Sequence, residues 1–199
     1  LSQPALTSVM TGLYPFQHLV RDSGVNFLGA HELTLAEIFF SRGYSTAFFT
    51  SGSPIFRTSG LQQGFEVFDE NIKPSLQKIS SFSEKILSQY LQWRKENSSE
   101  NTFSVLYLSD LSHSQVATKN EFGEIRNLTV DSQLEEINSQ LFQLFTQLQK
   151  QNAWKKTDII LFGLQGHLQN NSQDFLFTNL KSSMTHVALY WKKSEDYKN

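Results

Sequence analysis

The chain has 199 residues, with seventeen Lys and Arg against nineteen Asp and Glu for a formal net charge of −2. That length supports one substantial core, and scattered charges of both signs give no reason to expect a nucleic-acid or membrane-surface partner. Cysteine is absent, which excludes disulfides, thiolate catalysis, Cys-ligated metals and iron–sulfur clusters, and leaves location open between cytoplasm and periplasm.

No apolar run approaches the length of a membrane span. The start lacks the basic-then-apolar pattern of a signal peptide, a lack that a mature secreted chain would share. Seventeen phenylalanines against two methionines point to a core of aromatic bulk. Part of that bulk is expected to cover a surface that a partner or a missing segment would bury.

Residues 1–15 read as an extended entry, a short helix opened near Pro4 and a stop at Gly12. A hydroxyl at the mouth of such a helix, Ser2, sits where free backbone N–H groups favour an oxyanion. Ser2 is therefore a nucleophile over an anion site or a helix cap. Thr34 and Glu37 fit a capping box, with Leu33 and Ile38 as its hydrophobic staple, and the helix 35–41 ends at Gly43. The mostly apolar run 44–50 has the pattern of a buried parallel strand. A turn at 51–54 and a short extended piece at 64–69 close that unit.

A helix is expected over about 75–94, with Leu76, Ile79, Ile86, Leu87, Tyr90 and Trp93 in one stripe. The next strand covers 103–108, followed by an irregular surface loop over 111–127. Ser132 and Glu135 fit a second capping box, opening a helix to about Asn152 with Leu134, Ile137, Leu141, Leu144, Phe145 and Leu148 on its apolar face. Strands at 158–162 and 186–191 and a frayed polar tail, 192–199, complete the chain. Alternating helices and buried strands predict a single α/β domain over 1–199, a three-layer sandwich around a largely parallel sheet. Ligands in such sheets bind beyond the carboxyl ends of the strands. That rule gathers 50–52, 109–113 and 163–167 at one end of the sheet.

Ser2, Pro4 and the run Thr11-Gly12-Leu13-Tyr14-Pro15 resemble the signature of the sulfatases within the alkaline-phosphatase superfamily, Cys/Ser-x-Pro-Ser-Arg followed four residues later by Thr-Gly. His18 falls where that family often has a histidine. Thr34-Leu35-Ala36-Glu37 with Arg42-Gly43-Tyr44-Ser45-Thr46-Ala47, then Gly64-Phe65-Glu66-Val67-Phe68, resemble its next two segments in order and spacing. Asp110-Leu111-Ser112-His113 is a weaker echo of an Asp-x-His substrate loop. Residues 158–166 stand where the strand leading to Asp-His-Gly belongs. The resemblance implies a sulfatase-like fold incomplete at its N-terminus, because the family's paired metal-binding Asp would lie upstream of Leu1.

The family's chemistry uses a formylglycine made from Cys or Ser, or a Thr or Ser in phosphoryl-transfer relatives. A divalent cation lowers the nucleophile's pKa and neutralises equatorial oxygens. This chain departs at nearly every such position. Ser2 holds the nucleophile slot, but the Ser and Arg of the signature are Ala5 and Leu6, and alignment on Gly166 puts Leu164 at the late Asp and Gln165 at the His. Leucine cannot ligate a metal, and glutamine is a poor partner for a carboxylate cage.

The site residues implied are Ser2 as a degenerate nucleophile position, with His18, Asp110, His113, Gln165 and His167 as substrate or anion contacts and no metal ligand. Each has a plainer reading: a hydrogen-bonded structural histidine, satisfied loop residues, or a turn permitted by Gly163 and Gly166. Arg21, Lys73 and Lys119 are anion contacts by charge alone, and Thr11 is expected to satisfy local backbone.

Three functions stand open. One is a sulfatase-like domain that has lost ester hydrolysis and serves binding or assembly, with no cofactor. The second is a fragment of a metal-dependent sulfuric or phosphoric ester hydrolase, which would take Ca²⁺ or Mg²⁺ and an anionic ester once another segment or chain completes the sheet. The third is a generic α/β binding domain with an anion site after Pro4.

Overall fold

The computed structural model describes residues 1–70, 82–98, 100–109, 111, 117–119, 125–127, 129–164 and 186–195. Its centre is strand β1 (Ser45–Thr50), flanked in parallel by β2 (Val67–Asp69) and β3 (Thr102–Tyr107), giving the order β2-β1-β3. Ala47 pairs with Val67 on one side and Ser104 on the other. Successive side chains of a strand point to opposite faces, and β1 uses both. Phe48 enters a core with Leu6, Met10, Val20, Ala36, Ile55 and Leu61. Ala47 and Phe49 enter a second core with Ile86, Leu87, Tyr90, Trp93, Leu144 and Leu148.

The helices therefore form two outer layers. On the first face lie α1 (Ser2–Thr11), α2 (Pro15–His18) and α3 (Leu35–Ser41); on the second lie α4 (Phe82–Glu96) and α5 (Val130–Lys150). Four phenylalanines, Phe48, Phe65, Phe68 and Phe103, serve the first core, while Phe16, Phe27, Phe40, Phe56 and Phe142 are exposed. Phe48 stacks on Phe68 at 4.7 Å and meets Phe65 edge-on at 5.3 Å, while Phe103 stacks on Phe39 at 4.4 Å. Such pairs each add on the order of 1 kcal/mol beyond the area they bury.

Local chemistry explains the best-read elements. Thr34 caps α3 as expected: its hydroxyl accepts from the Glu37 N–H at 3.2 Å, and the Glu37 carboxylate accepts from the Thr34 N–H at 2.8 Å. Leu33 stays exposed. Gly12 ends α1 at φ 71°, where its N–H donates to the Ser8 carbonyl at 2.8 Å. Gly64, at φ 79°, lies so close to the first turn of α3 that a Cβ there would fall 2.6 Å from Glu37 Cα. The buried Thr46 hydroxyl donates to the Gly64 carbonyl at 2.7 Å and welds the same corner to β1.

Other elements differ from the sequence reading. The N-cap of α5 is Thr129, with Ser132 in the N3 position and not at the cap. The buried face of α5 includes Gln133 and Gln140 with Leu144 and Leu148, and leaves Leu134 exposed. Within 111–127, expected to be irregular, β4 (Ala117–Lys119) pairs antiparallel with β5 (Ile125–Asn127).

Strand β6 (Ile159–Phe162) does not extend the parallel sheet among the described residues. It pairs antiparallel with β7 (Leu189–Lys192) in a separate ladder. The sandwich thus has mixed strand directions. The expected Leu76 and Ile79 of the α4 stripe lie outside the described residues.

Candidate functional site

Helix α1 carries the signature residues from Ser2 to Thr11. Its N-cap is Leu1, which supplies no side-chain cap, so Ser2 is the first helical residue and not the cap. Ser2 is half-buried, and the first turn carries no acidic residue. Gln3 is buried and clamps the following loop onto the helix: its Nε2 donates to the Asn26 carbonyl at 2.8 Å, and its Oε1 accepts from the Gly24 N–H at 2.6 Å. Thr11 behaves as read, donating to the Thr7 carbonyl at 2.8 Å and accepting from the Leu13 N–H at 3.3 Å.

Leu6 and Leu164 share a fate. Leu6 is 3% exposed within the first core, and Leu164 packs against that same core. The two positions where the sequence resemblance calls for a cation and a carboxylate are both spent on apolar packing.

At the carboxyl ends of β1 and β3, two of the three expected segments meet. Ser51 and Ser109 are buried with their hydroxyls 2.8 Å apart, and the Ser109 N–H donates to Ser51 Oγ at 2.6 Å. The Thr50 hydroxyl donates to the Ile55 carbonyl at 2.9 Å and shapes the turn. These bonds join the ends of two strands.

His18 is 2% exposed. Its Nδ1 accepts from the Val20 N–H at 3.1 Å, and its Nε2 lies 3.0 Å from Ser8 Oγ. A neutral imidazole that accepts at Nδ1 carries its proton on Nε2, so His18 donates to Ser8. A general base activating Ser8 would need the lone pair on Nε2. The pair is thus a structural tie. Burial lowers the His18 pKa below its ordinary value, opposed by the ring's own main-chain contact and by the Glu32 carboxylate.

Asp110, His113, Gln165 and His167, together with Lys73, lie outside the described residues, as does the side chain of Lys119. Arg57, the basic residue of the turn after β1, donates from Nη2 to the Phe68 carbonyl at 2.8 Å and lies over the Phe68 ring. Among the described residues no three His, Cys, Asp or Glu side chains gather as a metal site. The first turn of α1 offers no carboxylate, and the Gln3 amide is engaged on both sides, so these residues do not fit the hard, carboxylate-rich cage a divalent cation needs. No helix of the described residues is long and apolar enough to cross a membrane.

The sequence matches the sulfatase family over residues 1–170. The chain belongs to the sulfatase family. Its fold is similar to that of the lipoteichoic acid synthase of Listeria monocytogenes (TM-score 0.63, 14% identity, covering 98% of this chain and 54% of that one). It is likewise similar to an alkaline-phosphatase-superfamily protein of Vibrio parahaemolyticus (TM-score 0.65, 17% identity, covering 96% and 48%). A third similar structure is the phosphonate monoester hydrolase of Agrobacterium radiobacter (TM-score 0.65, 15% identity, covering 96% and 58%). At such identities the likeness shows the fold. This sulfatase-family chain spans about half the length of the solved structures it matches. No curated protein sequence matches it.

Two features escaped the sequence reading. Ser8 as the partner of His18 carries no spacing signal, because the contact crosses the corner between α1 and α2. The Gln3 clamp is equally silent, since a glutamine in a first helical turn is ordinarily solvated.

Proposed function

We propose that this chain is a sulfatase-family scaffold whose ester-hydrolysing site is degenerate and whose surface serves binding or assembly. The observation that carries the reading is the joint use of Leu6 and Leu164 in one apolar core. Restoring a guanidinium at buried Leu6 would bury a charge among apolar side chains, and half-buried Leu164 supplies no carboxylate for a metal. An unactivated Ser2 hydroxyl is a weak nucleophile. Ca²⁺ and Mg²⁺ titrations followed by thermal unfolding test the reading. No midpoint shift is expected at millimolar metal, because a ligand stabilises only the state that binds it. A saturable rise that disappears in a Ser2→Ala variant would overturn it.

A second reading, completion of the sheet by a segment outside 1–199 or by another chain, is favoured by β6 and β7. Leu106 of β3 and Ile159 of β6 pack on the same helical core, yet β3 and β6 belong to separate ladders. Ile160, Leu161, Leu189, Tyr190 and Trp191 are exposed, an apolar set that an added strand would cover. With Trp93 and Trp154 replaced by Phe, Trp191 emission reports this directly. A blue shift in the complete gene product relative to residues 1–199 is expected; identical emission from the two would overturn the reading.

A further inference from the structure

The corner between α1 and α2 holds a buried imidazole on which a strained turn depends. Helix α2 is a single turn of four residues. At its start the Tyr14 N–H donates to the Gln17 side chain at 2.9 Å; at its end stands His18. The next residue, Leu19, is in the left-handed region at φ 63° with its side chain exposed, a conformation that residues other than glycine rarely adopt. Such a residue persists only where its surroundings over-determine it. Here the surroundings include fully buried Val20, whose N–H reaches back across Leu19 to His18 Nδ1 at 3.1 Å. The imidazole therefore closes the turn from one side and ties it to Ser8 of α1 from the other.

We infer that His18 is an acid-sensitive latch: a proton taken up at Nδ1 removes the acceptor of the Val20 N–H and frees the Leu19 turn, loosening α2 from α1. The balance is simple. One proton is gained, no other bond is exchanged covalently, and two N–H donors then face each other at 3.1 Å where one hydrogen bond stood. The charge around the ring offers little to hold the cation in place. Neither α1 nor α2 contains an acidic or a second basic residue. Among the described residues the Glu32 carboxylate favours the protonated ring by charge, and it is itself 3.2 Å from the exposed His31. Arg21 and Asp22 follow on the exposed surface.

What the latch would release is the exposed aromatic corner, Tyr14 stacked on Phe16 with ring centroids 5.6 Å apart, together with Leu19. The inference is independent of whether Ser2 has lost its chemistry.

Two measurements on the wild-type chain decide it. Ring ¹⁵N shifts of His18 near neutral pH should report the Nε2–H tautomer. Hydrogen exchange from about pH 8 to about pH 4.5 should show Val20 protection level at first, then falling by up to tenfold per pH unit below about 6.5, the value of a free imidazole, until the lowered value of the closed turn is reached, after correction for intrinsic exchange. Phe48 in β1 should keep its protection over that range. A His18→Asn variant, whose Oδ1 can accept from Val20 without titrating, should remove the pH dependence. An Nδ1–H tautomer, a Val20 protection independent of pH, or a loss at Val20 and Phe48 in parallel would each overturn the latch.

Discussion

Replacing Gly64 by alanine tests how the fold holds its family motif. Gly64 stands at φ 79°, and an added Cβ would lie 2.6 Å from both Ala36 C and Glu37 Cα, and closer still to the Glu37 nitrogen. Those atoms are backbone, and they belong to a first turn fixed by the Thr34–Glu37 capping box. The neighbour therefore cannot rotate aside, and it must move by more than an ångström to reach ordinary contact. The left-handed conformation alone costs an L-residue about 1–2 kcal/mol; overpacking of this kind adds about 1–3 kcal/mol. A total of about 2–5 kcal/mol is a large part of the ~5–15 kcal/mol that holds a typical domain folded.

Gly43 is the matched control, because it has the same φ of 79° and no atom within 4 Å of an added Cβ. Urea unfolding followed by tryptophan fluorescence should show Gly43→Ala losing the conformational part alone. With a slope of about 2 kcal/mol per molar urea, Gly64→Ala should lower the midpoint by about 1–2.5 M. Equal midpoint losses in the two variants would refute the close approach of Gly64 to α3.

Two further variants probe the site and its surroundings. Leu6→Ala, at 3% exposure in the first core, should cost about 2–5 kcal/mol in chemical denaturation; a loss below about 1 kcal/mol would mean that Leu6 does not pack there. Asp158 accepts from the Ser194 N–H at 3.1 Å, from the Ser194 hydroxyl at 3.0 Å and from the Trp191 indole at 3.3 Å. Desolvation raises its pKa, but those bonds and Lys192 outweigh it and hold the carboxyl below its ordinary value. A depressed folded pKa gives stability that is present above the unfolded value of about 3.9 and is lost as pH falls through the folded value. Acid unfolding of Asp158→Asn should therefore be flatter than wild type below about pH 4, and an unchanged acid limb would contradict that role.

The elements legible in the sequence are those whose cause is local. Thr34 and Glu37 cap α3 because three residues of spacing suffice to exchange two hydrogen bonds. Strand β1 is buried on both faces, as its apolar run implies. The family motif at Gly64 is legible for a tertiary reason, since the glycine is required by the approach of another backbone.

The cap of α5 shows the limit of pattern reading. Thr129 and Ser132 are three residues apart and both suit a cap, and only the observed chain entry selects Thr129. The same applies to its face. Gln133 and Gln140 are buried because the helix turns them toward its neighbours, which no hydrophobic stripe records. Strand β6 is apolar enough to look buried, yet Ile160 and Leu161 are exposed. The candidate site reads in the sequence, through the family resemblance, as a set of departures at Ala5, Leu6 and Leu164. The core shared by Leu6 and Leu164 is not legible there, because it depends on two distant segments meeting.

The most direct test of a degenerate site is turnover. The 199-residue chain, assayed with aryl sulfate and aryl phosphate esters in the presence of Ca²⁺ or Mg²⁺, should release no phenol above the rate without protein. Release that requires the metal and disappears with Ser2→Ala would contradict the account.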